Sequence, residues 1–189
     1  MNDPLEIIEH LAPADALSIL KKLARGDAAL AARIAEMALA DLEDTDPEGI
    51  AIQLYDELDA LEVEEVWDRA GETRNGYVET DEVAYEMIKE VMSPFLDELR
   101  WYQKMRLNDK ANQLCMGLLL GLYRFEHEST SEFKDWSPDA PIAFAEAVVD
   151  AWQEGSPTRE DVRSVKTFSE EELGWWSGGL FEGDKQSWR

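Results

Sequence analysis

Apolar residues recur at every third or fourth position along nearly the whole chain, and strict apolar/polar alternation is almost absent. That period places the apolar side chains on one face of a helix and argues against strands as the building unit. It is clearest over residues 81–126. Val83, Met87, Val91, Phe95, Leu99 and Tyr102 form one stripe. Leu114, Cys115, Leu118, Leu119, Leu122 and Tyr123 form a second, with Leu107-Asn108 as the turn between them. Two long helices joined by so short a turn must fold back on each other. The expected fold class is all-α: antiparallel helix hairpins stacked as a bundle or a short right-handed α-α superhelix.

Capping signals divide the rest of the chain. Asp3-Pro4 opens a short helix through Leu11. A second helix, residues 13–24, carries Leu17, Leu20, Leu23 and Ala24 on one face, with Gly26 as a left-handed stop. Asp27 caps a third, residues 28–43, with Leu30, Ile34, Met37 and Ala38 at helical spacing. Asp46-Pro47 opens the next, residues 47–60, striped by Ile50, Leu54, Leu58 and Leu61. Val63, Val66, Trp67 and Ala70 make a short helix closed by Gly71. The segment GETRNGYVE, 71–79, is a loop with an Asn75-Gly76 turn, and Thr80 caps the long helix after it. Ser93-Pro94 either kinks that helix or separates two. Residues 127–137 are a polar linker, and a helix follows over 141–152. Thr158 and Ser169 have the character of caps for two more helices, the second with Glu172 at the capping-box position. The domain reading is a helical-hairpin domain over 1–126, additional helices packed on it over 127–174, and an irregular aromatic tail over 175–189.

Charge limits the partners. Forty-two Asp and Glu stand against eighteen Lys and Arg, for a net charge of −24. Such a surface repels phosphates and anionic lipid, so direct nucleic-acid or membrane binding is not expected. A protein partner, with a basic surface, is compatible. The single Cys115 allows no intrachain disulfide and no zinc site with two thiolates, and it fits a reducing, cytoplasmic setting. Met1 to Glu9 lacks the basic start of a signal peptide. The longest apolar run, Leu114 to Tyr123, is about half a membrane span and reads as a core helix.

Three segments carry a resemblance: ALSILKKLARGDAALAARI, AGETRNGYVETDEVAYEMIKEVMSPFLDELRWY and NDKANQLCMGLLLGLYRFE. From about Asp15 to Glu126 the chain resembles the TPR-like helical region found beside SWIM zinc fingers in prokaryotic proteins. The resemblance implies a helical-repeat scaffold. A SWIM finger takes three Cys and one His, and this chain has only Cys115, so no zinc ligands carry over. Residues 127–189 lie outside the resemblance.

His10 and His127 are the only histidines, and neither sits in a nucleophile or metal motif. Cys115, within QLCMG, reads as a buried inert thiol. The acidic runs at 41–46, 56–65 and 170–172 do not fit a calcium loop, because DLEDTDPEGIAI has Asp at its sixth place and Ile at its twelfth. Gly117 and Gly121 suit close helix–helix packing in a core. No catalytic, cofactor-binding or metal residue is assigned, and no cofactor is expected. The basic island RWYQKMRLNDK and the loop holding Arg69, Arg74, Asn75 and Tyr77 supply interface chemistry. The expected protein-binding residues are Arg74, Tyr77, Arg100, Trp101, Tyr102 and Arg106. The reading is a non-enzymatic scaffold for protein–protein interaction. Two alternatives stay open: an enzyme or small-ligand-binding helical domain, and an acidic mimic that engages a basic nucleic-acid-binding protein. Trp175, Trp176, Phe181 and Trp188 of the tail either pack back on the body or meet a partner.

Overall fold

A computed structural model of the chain describes residues 8, 10–43, 46–73 and 76–181. The chain divides into two compact units, Met1–Asp44 and Thr45–Arg189, where the sequence suggested a boundary after residue 126. The helix expected to open at Asp3-Pro4, and Trp188, lie outside the described residues. Among the described residues the fold is an all-α bundle with one two-stranded sheet.

The first unit is a helix pair, α1 (Pro13–Gly26) and α2 (Ala28–Glu43). Asp27 caps α2 as expected, its carboxylate accepting from Ala29 N (2.9 Å) and Leu30 N (3.1 Å). Gly26 is the last residue of α1 and is not left-handed. The chain instead leaves the helix through extended Asp27. Ala16 and Ala24 of α1, and Leu30, Ala31 and Ile34 of α2, are half-buried. No residue of α1 is fully buried.

The second unit contains α3 (Pro47–Asp59), α4 (Val63–Arg69), the strands β1 (Gly71–Thr73) and β2 (Gly76–Val78), and α5 (Thr80–Lys104). It continues with α6 (Asn108–Glu128), a 3-10 helix (Glu132–Trp136), α7 (Ala140–Glu154), α8 (Arg159–Glu172) and α9 (Trp176–Leu180). Helix α6 is the axis of the unit, packed by α3, α5, α7 and α8. It is buried nearly all round, with Leu114, Cys115, Leu118, Leu119, Leu122 and Phe125 at or near zero exposure. The α5/α6 hairpin is present, but α3 makes the most extensive contact with α6. Gly117 and Gly121 explain that contact. A Cβ on Gly117 would lie 2.5 Å from the Ile50 Cβ, and one on Gly121 would lie 3.0 Å from the Ala51 carbonyl oxygen.

One polar joint sits among these apolar contacts. Asn112 on α6 is buried, its Nδ2 donating to Asp161 of α8 (2.6 Å) and its Oδ1 accepting from the Trp152 indole of α7 (2.9 Å). Asp161 also closes the capping box of α8 with Thr158. Gln103 of α5 donates to the Ala151 and Trp152 carbonyls, both at 2.9 Å, and so satisfies the end of α7.

Several local expectations are corrected. Of the two readings of Ser93-Pro94, the single helix holds: α5 continues through Pro94, and the Ser93 hydroxyl donates to the Lys89 carbonyl at 2.7 Å. Glu79, not Thr80, precedes its first turn. Ser169 is no cap: it lies inside α8, fully buried, its hydroxyl donating to the Val165 carbonyl. The loop after α4 forms an antiparallel pair, Gly71 opposite Val78 and Glu72 opposite Tyr77, with Gly71 and Gly76 at positive φ. The polar linker is anchored. Phe133 is fully buried, Ser129 donates to Asp59, and Lys134 donates to the Ser129 carbonyl. The tail is helical over α9, where Trp176 and Leu180 are buried, as is Phe181 just after it. Among the described residues no helix is long and apolar enough to cross a membrane.

Candidate functional site

The second unit carries an open groove of about 640 Å³ along the N-terminal half of α5. Arg69 at the end of α4, Val78 of β2 and Ser137 after the 3-10 helix line it with Asp81, Glu82, Val83, Tyr85, Glu86 and Glu90 of α5. The helical repeat explains the arrangement: Glu82, Glu86 and Glu90 are successive i+4 neighbours, so their carboxylates form a row on one face. Next to that row, Tyr85 stacks on buried Phe144 of α7, with centroids 4.9 Å apart and 25° between planes. Its ring is held from behind and remains 39% exposed.

Charge in the groove is mostly negative. Among the described residues Arg69 is its one cationic lining residue, and it bridges Glu90 (2.9 Å) and Glu65 (3.2 Å). Hydrogen bonding to Glu90 is the main cause raising the Arg69 guanidinium above its ordinary pKa, with Glu65 adding to it. Glu86 takes Lys89 at 2.8 Å. Asp81 and Glu82 stand in the first turn of α5, where the helix dipole favours carboxylates. Exposed Trp67 of α4 meets Trp136 edge-on, centroids 6.1 Å apart, and adds aromatic surface from neighbouring elements.

The six residues singled out from sequence do not converge. Arg74 lies outside the described residues. Tyr77 is 64% exposed on β2, next to the groove residue Val78. Arg100, Trp101 and Arg106 lie at or just beyond the far end of α5, about 30 Å from Thr80 at 1.5 Å per helical residue. Arg100 pairs with Asp97 at 3.1 Å, and Trp101 is partly exposed. Tyr102 is corrected: it is 3% exposed, packed in the core, with its hydroxyl on Glu98. Its stripe position on α5 faces inward, so its ring is not offered to a partner. Desolvation is the main cause raising its phenol pKa. Arg106 has a backbone role that its type concealed. It takes φ 59° and ends α5, with Arg106 N on the Gln103 carbonyl and Leu107 N on the Tyr102 carbonyl.

Other chemistry-bearing side chains have structural surroundings. Cys115 is fully buried, and burial pushes its thiol pKa far up. His10 and His127 are both exposed. His127 stacks on Tyr123 (4.2 Å), with Nδ1 2.9 Å from the Tyr123 carbonyl, and Trp176 packs edge-on to both rings. Trp175 beside it is 71% exposed. Asp46, within the first acidic run, caps α3 by accepting from Gly49 N at 2.7 Å. Among the described residues no group of three or more His, Cys, Asp or Glu is placed to hold a metal ion.

Sequence reasoning named Arg69, Tyr77 and their loop but missed the groove. The row Glu82, Glu86, Glu90 was visible as an i+4 series. Its pairing with Tyr85 depends on Phe144, some sixty residues later, and nothing local reports that. In comparisons with family models, curated proteins and solved structures, the chain matches none.

Proposed function

We propose that the chain is a non-enzymatic, cytoplasmic protein-interaction scaffold whose working surface is the α4/β2/α5 groove, and that its partner presents a basic, extended segment. The observation that carries this reading is the carboxylate row of Glu82, Glu86 and Glu90 beside a Tyr85 ring held face-out by Phe144. Carboxylates attract Lys and Arg, and an immobilised aromatic face adds a cation–π contact of about 0.5–2 kcal/mol. Tyr77 and Trp67 extend the surface with rings that lose little entropy on binding. The single buried thiol accords with a reducing compartment. The resemblance to a TPR-like scaffold points the same way, since such helical arrays bind extended segments on their surfaces.

Fluorescence anisotropy of a short labelled arginine-rich peptide against the full chain tests the proposal. Reversing Glu82→Lys and Glu86→Lys together should weaken binding at least about tenfold, beyond the modest worth of exposed pairs taken singly. Reversing Glu170→Lys and Glu171→Lys on α8 changes the net charge equally and should leave affinity nearly unchanged. Equal losses from both pairs would mean that the peptide reads only the overall charge, and the groove would not be its site.

A further inference from the structure

Arg69 stands on a carboxylate that the groove offers to a partner. Its two terminal nitrogens reach different helices: Nη1 donates to Glu90 of α5 at 2.9 Å, and Nη2 donates to Glu65 of its own helix at 3.2 Å. Arg124 shows the contrasting, structural tie. Both of its terminal nitrogens grip one carboxylate, Glu48, at 2.6 and 2.9 Å, joining α6 to α3, and its side chain is 25% exposed. Such a fork on a single carboxylate is the strong form of the pair. Arg69 instead makes one bond to each of two carboxylates. Its side chain is 45% exposed, and that of Glu90 is 63% exposed. Exposed pairs of this kind contribute little and are readily exchanged. Release from Glu90 does not strand the guanidinium either. Glu65 lies one turn before Arg69 on α4, the favourable order for a helical pair, so Arg69 keeps that partner when Glu90 is taken. Lys89 also pairs with Glu86, but from the same helix and without lining the groove.

We infer that Arg69 is an internal competitor for the groove: its guanidinium holds Glu90 where a partner's arginine would bind, and a basic segment completes docking by turning Arg69 back onto Glu65. This rests on the groove being the docking surface for such a segment. With Arg69 on Glu90, a partner meets chiefly Glu82 and Glu86 of the carboxylate row. It also meets the repulsion of a like charge on the α4 side of the groove. Arg69 therefore sets how basic a segment must be before it can use the whole row. A segment with one cation is met by two carboxylates and one opposing cation, whereas a segment with several displaces Arg69 and gains the third carboxylate.

Anisotropy of the labelled arginine-rich peptide with the full chain gives the test. Arg69→Gln should tighten binding about fivefold or more, because it removes a cation from the groove and uncovers Glu90. Arg163→Gln on α8 changes the net charge equally at another exposed position and should tighten binding far less. Glu90→Gln should weaken binding in both backgrounds, but at least about threefold more where Arg69 is replaced, since only there is Glu90 uncontested. Positions 69, 90 and 163 are all exposed, and circular dichroism of the variants should match the wild type. The inference is overturned if Arg69→Gln binds no better than Arg163→Gln, or if Glu90→Gln has the same effect in both backgrounds. Weaker binding by Arg69→Gln overturns it too, and makes Arg69 a group that positions Glu90 for the partner. The groove reading outlives any of these results if Glu82→Lys with Glu86→Lys still weakens binding selectively. A peptide that binds neither the wild type nor Arg69→Gln overturns both.

Discussion

Replacing Asn112 by aspartate changes one amide to a carboxylate at the joint of α6, α7 and α8. The wild-type side chain donates to Asp161 at 2.6 Å and accepts from Trp152 at 2.9 Å. Aspartate keeps the acceptor for the indole but loses the donor, and it places a second carboxylate against Asp161. Burial works to raise the Asp161 carboxyl, but hydrogen bonds from Thr158 and Asn112 outweigh it and hold Asp161 below the usual carboxylate range. The variant loses a hydrogen bond to a charged group, about 1.5–3 kcal/mol. It also forces a choice between repulsion and taking up a proton, and two carboxylates sharing a site raise one pKa strongly. With one carboxyl raised, the folded state binds more protons than the unfolded chain above about pH 4, so stability falls as pH rises through that window. The expected deficit is about 2–4 kcal/mol at pH 7.5, shrinking toward pH 4.5, where the shared proton restores a donor to Asp161. Urea unfolding at the two pH values, with Asn112→Leu as the comparison that loses the donor without adding a second carboxylate, measures it. A deficit under about 0.5 kcal/mol at pH 7.5, or one that does not change with pH, would refute the reasoning.

Gly117→Ala should destabilise by about 2 kcal/mol or more, because overpacking against Ile50 and the Pro47 carbonyl exceeds the roughly 1 kcal/mol helix-propensity gain. Gly121→Ala, with contacts of 3.0 and 3.1 Å, should come much nearer to neutral, and urea midpoints of the pair check the order. Arg106→Gly should stabilise by about 1 kcal/mol, since glycine takes the left-handed backbone there without a Cβ penalty; a thermal melt reads it, and a loss would contradict the geometry. Cys115 should resist a thiol reagent in the native protein and react promptly in urea, because burial leaves almost no thiolate; rapid native labelling would contradict its placement.

The fold was legible where a local signal and a tertiary need coincide. Asp46-Pro47 and Asp27 announce their helices because a capping carboxylate acts within three residues. Gly117 and Gly121 announce a close helix contact, though not that α3 makes it. The misreadings came where tertiary contacts override local type. Ser169 hides inside α8, and the polar stretch after α6 is pinned by Phe133, whose burial no neighbouring residue signals. At the candidate site, Tyr77 was in view, but Tyr102 shares its stripe with core residues and belongs to them. Arg106 gave no sign of its φ, because arginine is an uncommon choice at a position that usually takes glycine. The groove itself required the placement of α7 behind Tyr85, which is long-range information.

The claim that the groove is the docking surface is tested most directly by where a bound basic segment lies. A photoreactive phenylalanine analogue placed at Tyr85, and separately at exposed Trp175 near the other aromatic cluster, can be cross-linked to the labelled arginine-rich peptide and mapped by mass spectrometry. The account predicts efficient cross-linking from position 85, suppressed by Glu82→Lys with Glu86→Lys, and little from position 175. Cross-linking from position 175 with none from position 85 would contradict it.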